Sequence, residues 1–139
     1  MVAKDTARVT YLDFLELLLA NLPGNQYSAD SADWSRAVKV LRDEYETQYP
    51  ELFEDFVIFE RPPLQPHSDQ VSHFLTIEQE ADVIEVLNPG YERLSVSTEK
   101  KDLLNKRNEK LLALYENSIR KMVEEVAPLV SVNADTSAE

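Results

Sequence analysis

The chain contains no cysteine, only two glycines in 139 residues, and no long apolar run. Without cysteine, disulfides and thiolate metal sites are excluded. Glycine supplies the positive-φ positions of tight hairpins and phosphate-cradling loops, so its scarcity counts against both. Neither a GxGxxG nor a GxxxxGK loop occurs, which excludes nucleotide binding through such loops. The longest apolar stretch, Leu111 to Tyr115, falls far short of a membrane span. Charges at Lys4, Asp5 and Arg8 interrupt the place where a signal peptide needs an apolar core, so the expectation is a soluble, cytoplasmic protein.

Cations are also scarce, in one window above all. Between Asp43 and Glu92 the chain carries thirteen carboxylates and one cation, Arg61, a balance of −12 that equals the formal charge of the whole molecule. Everything outside that window is neutral in sum. Charge so concentrated repels nucleic acid and anionic membrane, and it attracts basic partners or divalent cations.

What is present reads as helical and globular. Apolar residues make up 43% and charged residues 29%, a globular balance, and low glycine beside abundant Leu, Glu and Lys favours helices. From Thr10 to Leu22, Leu12, Leu15, Leu18, Leu19 and Leu22 fall at helical spacing. Phe14 and Leu17 widen that apolar face, while Asp13 and Glu16 mark the outer one; a helix apolar on most sides belongs at the centre of a core. Asp30 or Ser31 caps a second helix running to about Tyr49, with Trp34, Ala37, Val38, Leu41 and Tyr45 in one stripe. Pro50 opens a short helix to about Phe56. Phe56 to Phe59 suits either a helix or a buried strand, its β-branched and aromatic content favouring the strand, and Pro62, Pro63 and Pro66 suit an extended crossing.

Thr76 with Gln79 three residues later forms a capping-box pattern, which predicts a helix through Ile77, Ala81, Ile84 and Leu87. The last helix starts at Ser97 or Thr98, and nothing breaks it before Pro128, giving about 30 residues and roughly 45 Å. Its seam runs through Leu104, Leu111, Tyr115, Ile119, Met122 and Val126, with Asn108 where an apolar residue belongs. The fold class expected is all-α: an irregular bundle of four to five helices with a long C-terminal helix. A minor two-stranded β element from Phe56–Phe59 and Tyr91–Val96 is the one departure. Residues 1–130 form a single helical domain, and 131–139 a disordered polar tail.

Few residues carry a chemical signal. On the expected helix Glu78, Asp82 and Glu85 stand at i, i+4 and i+7, a spacing that places three carboxylates on one face and suits Mg²⁺. The same spacing is also the ordinary polar face of an amphipathic helix. His67 and His73 are the only histidines; Asp69 and His73 are four apart and would pair on a helix. No HExxH, Glu-x-x-His or G-x-S-x-G motif occurs.

The function favoured from sequence is a non-enzymatic interaction or regulatory protein that presents an acidic surface to a basic protein partner. Glu51, Glu54, Asp55, Glu78, Asp82 and Glu85 are the partner-binding candidates. The alternative is a divalent-metal-dependent enzyme using Glu78, Asp82 and Glu85, with His73 beside them. No cofactor, no nucleic acid and no membrane is expected as a partner. The basic stretch Lys100 to Lys110 is an internal counterweight candidate for the acidic window. If the C-terminal helix projects from the bundle, its uncovered stripe calls for a second copy, a homodimer. Tyr11, Tyr27 and Tyr91, near element ends, are candidates for exposed contact residues.

Overall fold

A computed structural model of the chain describes residues 9–60, 66–87 and 92–131. Helix α1, Tyr11–Asn21, starts where the Thr10 hydroxyl accepts the Asp13 amide and stops ahead of the Pro23-Gly24 turn. Gly24 sits at φ +82°, a left-handed backbone that glycine adopts without strain. Phe14 to Ala20 are all buried, because α1 is surrounded by other helices. Helix α2, Ser31–Tyr45, is capped by Asp30, whose Oδ1 accepts the Ala32 amide at 2.9 Å. Its stripe of Trp34, Ala37, Val38, Leu41 and Tyr45 is buried as the periodicity predicts. The one-turn helix α3, Pro50–Phe53, opens on its proline and seats Phe53 edge-on against Phe14.

Helix α4 occupies Asp69–Glu80, starting eight residues earlier than the capping-box pattern predicts. Buried Ser68, not Thr76, is its N-cap, accepting the Val71 amide. The helix ends because the Val83 amide bonds back to the Glu78 carbonyl at 2.9 Å and the Asp82 amide to Gln79 at 3.1 Å. Those two bonds are a Schellman motif, with Asp82 in the left-handed position at φ 63°. The expected helix to Leu87 therefore does not form. In its place runs strand β2, Glu85–Leu87.

A small sheet replaces the expected two-stranded element. β1, Gln26–Ser28, and β2 flank β3, Arg93–Ser95, both antiparallel to it. Tyr27, Leu94 and Val86 form one cross-strand row, and Tyr27 and Leu94 are fully buried. Tyr27 is thus core rather than an exposed contact residue. Phe56–Phe59 lies outside the sheet; only a single bridge joins Phe59 to His67, and Phe59 is 56% exposed. The Tyr91–Val96 expectation holds for 93–95, while Tyr91 lies outside the described residues.

The long C-terminal helix is two helices. α5 spans Thr98–Arg107 and α6 spans Glu109–Val130, with Asn108 (φ −111°, ψ 28°) between them and a second kink at Tyr115. α6 continues past Pro128 to Val130; the carbonyl four residues back, on exposed Glu124, gives up its helical bond in the last turn. α1 packs against α3, α4, α5 and α6, and α2 against α4 and α6. Ile119, Met122, Val123, Val126 and Val130 of α6 are buried in that core, so its stripe is covered by the chain itself over this length. The projecting, uncovered stripe that would call for a second copy is not formed there.

Among the described residues the fold is thus mainly α, six helices with one three-stranded antiparallel sheet. No helix among them is long and apolar enough to cross a membrane. Of the tail expected at 131–139, residues 132–139 lie outside the described residues, and Ser131 bridges to Tyr27.

Candidate functional site

The six partner-binding candidates separate by environment. Glu54, Asp82 and Glu85 are exposed, on the turn after α3, on the turn after α4 and on β2. Glu51 and Asp55 are half-buried and engaged: Glu51 accepts the Tyr115 hydroxyl, and Asp55 Oδ2 accepts the Tyr11 amide at 3.2 Å. Glu78 is 1% exposed. Because α4 ends at Glu80, Glu78, Asp82 and Glu85 lie on a helix, a left-handed turn and a strand, not on one helical face. Among the described residues no group of three or more histidine, aspartate or glutamate side chains is placed to hold a metal ion.

The histidines also part from expectation. The segment is helical from Asp69, yet Asp69 pairs with His67, whose Nε2 is 2.9 Å away. His73 Nδ1 instead meets the Tyr11 hydroxyl at 2.5 Å.

Most of the acidic window faces water. Ten of its thirteen carboxylates belong to exposed residues. Asp43 and Glu60 are neutralised by Lys39 and Arg42 of α2, at 2.7 to 3.7 Å. Among the described residues only Arg107 of the Lys100–Lys110 stretch reaches an acid of the window, and α2 supplies most of the counterweight instead. Glu44, Glu46, Glu54, Glu80, Asp82, Glu85 and Glu92 are exposed without an ion-pair partner among the described residues. Crowding of like charge is visible where α2 meets α6: a hydrogen bond shared with Glu125 holds the Glu44 carboxyl above the usual carboxylate range.

A second cluster went unseen in the sequence. Glu16 of α1, Glu78 of α4 and Asn108 at the α5–α6 junction are buried together, and Arg107 of α5, its side chain 49% exposed, reaches them from the surface. Arg107 donates to Glu16 Oε2 at 2.7 Å and stands 4.0 Å from Glu78 Oε1. Asn108 Nδ2 donates to Glu16 Oε1 at 2.9 Å and to the Leu104 carbonyl at 3.0 Å. Burial, then the hydrogen bond with Glu16, pushes the Glu78 carboxyl up to about 8, and Arg107 opposes this only in part. Glu78 Oε1 has no hydrogen-bond partner, Arg107 being too far away to donate to it. Two facing carboxylates cannot bond to each other while both are ionised; with one proton on Glu78, it donates to Glu16 and the pair holds a single charge against Arg107.

Two signals pointed to this cluster. Glu16 interrupts an otherwise apolar helix, and Asn108 interrupts an otherwise apolar seam. Periodicity puts Glu16 on the outer face of its helix and leaves Asn108 in the seam, and it cannot reveal that two polar interruptions satisfy one another.

A third buried polar group fastens the end of α1. Lys101 Nζ donates to the Leu22 carbonyl at 2.5 Å, to the Gly24 carbonyl and to the Tyr27 hydroxyl, with the Tyr27 ring centroid 5.1 Å away. Burial lowers the proton affinity of Lys101 and raises that of Tyr27. The ammonium sits where the α1 carbonyls lose their helical partners, a favourable place for a cation.

No family model, curated protein or solved structure matches this chain.

Proposed function

We propose that the protein is a non-enzymatic interaction or regulatory protein whose acidic surface engages a basic protein partner. The observation that carries this reading is the set of exposed carboxylates on α2, the turn after α3, the turn after α4 and the sheet that lack a neutralising cation among the described residues. Unneutralised surface charge of one sign raises association rates with oppositely charged proteins and rejects polyanions. The Glu16–Glu78 pair, although a perturbed carboxyl is the kind of group catalysts use, is closed off by burial and serves packing.

The test is capture of partners from extract at about 0.1 M and about 0.5 M salt, with the chain and with a Glu80→Gln, Asp82→Asn, Glu85→Gln triple variant as bait. The reading expects basic proteins that are retained at low salt, released at high salt and lost with the variant. Capture of nothing, or capture indifferent to both salt and substitution, overturns it.

A further inference from the structure

The row Tyr27–Leu94–Val86 crosses the sheet, but only its first two members are covered. Trp34 lies edge-on to Tyr27 and tilts against Phe74, which closes the core under β1 and β3. Val86, on the edge strand β2, is only partly buried, as is Leu75 on α4. Between them a groove of about 270 Å³ opens, floored by Ile84 and Leu94 and rimmed by Ser72, Thr76 and Gln79. Ala29 lines both this groove and a second concavity, of about 470 Å³, whose other lining residues are Ser28, Asp30, Asp33 and Glu92.

The second concavity is acidic and ordered. Asp30 is fixed by the Ala32 amide and Asp33 by the Ser28 hydroxyl at 2.7 Å, so their carboxylates cannot simply turn away. One guanidinium, Arg36, stands 3.2 Å from Asp33, against three carboxylates in the lining. An apolar slot joined to a pocket with surplus negative charge fits an apolar side chain with a lysine or arginine beside it. A second copy of this chain, at −12, fits poorly, and so does its own segment after Ser131, which carries Asp135 and Glu139 and no cation.

We infer that this joined groove docks a short segment of a basic partner protein, an apolar side chain entering between Leu75 and Val86 and a neighbouring Lys or Arg entering the Asp30–Asp33–Glu92 pocket. The inference rests on the acidic-surface reading above and extends it to a pocket that shares Glu92 with the acidic window and adds Asp30 and Asp33 from outside it.

The probe is a capped peptide Gly-Lys-Leu-Lys-Gly, compared with Gly-Lys-Ala-Lys-Gly and Gly-Glu-Leu-Glu-Gly, titrated against the full chain with the methyl signals of Leu75, Ile84 and Val86 followed by NMR. The leucine peptide is expected to shift those methyls in a saturable way and the alanine peptide to bind about tenfold more weakly. The glutamate peptide should not bind. Leu75→Gln should weaken the leucine peptide, and Asp33→Asn with Glu92→Gln should weaken it and remove most of its salt dependence. Equal binding of the leucine and alanine peptides overturns the groove while leaving the acidic surface standing. Absence of any methyl shift at millimolar leucine peptide overturns it too. Shifts that grow with protein concentration alone would assign the groove to a second copy and overturn it likewise. If Leu75→Gln fails to fold, the three peptides on the unsubstituted chain still decide.

Discussion

Glu16 and Glu78, brought together from α1 and α4, present two buried carboxyl groups to the single guanidinium of Arg107. The arrangement ties three helices through charge that the interior can hold only if one proton stays behind.

A pH dependence follows from that proton. Glu78 titrates at about 8 in the folded chain against an ordinary value of 4.5. The native state therefore keeps a proton that the unfolded chain releases between those values. The contribution is complete below 4.5 and is lost as pH rises toward 8, with a slope of up to about 1.4 kcal/mol per pH unit. Glu78→Gln, which stays neutral and still donates to Glu16, should remove this slope. Urea unfolding at pH 5, 6.5 and 8 reads it: the wild type should lose stability relative to the variant across the series. Parallel profiles for the two proteins would falsify the shared proton.

Asn108 gives the second prediction. By its place in the seam an apolar residue belongs there, yet its amide holds Glu16 Oε1 and the Leu104 carbonyl. Asn108→Leu should thus cost about 1–3 kcal/mol despite added apolar surface, because a buried carboxylate oxygen loses its donor. Asn108→Asp, which sets a third carboxylate beside the pair, should cost more. Denaturant midpoints near pH 7 check both, and a leucine variant as stable as the wild type sinks the idea.

The same residues show what the sequence made legible. Apolar periodicity located α1 and α2 well, since both bury a continuous surface against several neighbours and propensity, capping and pattern agree. α4 was misplaced because two serviceable caps, Ser68 and Thr76, lie on the same stretch, and only the tertiary bond from Ser68 to the Ser35 hydroxyl selects the first. The break at Asn108 was invisible because no proline or glycine marks it; a hydrogen bond to a residue 92 positions away does. Exposed Glu54, Asp82 and Glu85 could be read from composition, whereas buried Glu78 could not, because its partners come from α1 and α5. The groove at β2 depends on strand pairing between segments far apart in the chain, which periodicity does not encode.

The Lys101–Tyr27 contact yields a coupling prediction. Lys101→Met keeps the apolar stem and removes the ammonium from the Leu22 and Gly24 carbonyls, for an expected loss of about 1–3 kcal/mol. Tyr27→Phe removes a hydroxyl that also reaches those two carbonyls, at 3.0 and 2.5 Å. Since both side chains serve the same acceptors, the double variant should differ from the sum of the single losses by about 0.5–3 kcal/mol. A double-mutant cycle by urea unfolding measures the term. Strict additivity would mean that the two groups act independently.

The ends of α4 supply a prediction that contrasts directly with the sequence pattern. Ser68 is buried and its hydroxyl accepts the Val71 amide; Ser68→Ala removes that cap while the Ser68 amide keeps its bond to the Ser35 hydroxyl, so the loss should be about 1–2 kcal/mol. Thr76, in the middle of the helix and exposed, should tolerate alanine within about 0.5 kcal/mol. At the other end Asp82 holds φ 63°, where a side chain is strained and glycine is not. Asp82→Gly should therefore leave the helix end intact and raise stability by up to about 1 kcal/mol. Thermal and urea unfolding of the three single variants give the ranking Asp82→Gly, then Thr76→Ala, then Ser68→Ala. If Thr76→Ala proves the costliest of the three, the helix starts where the capping box says, and the left-handed turn at Asp82 and strand β2 lose their support together.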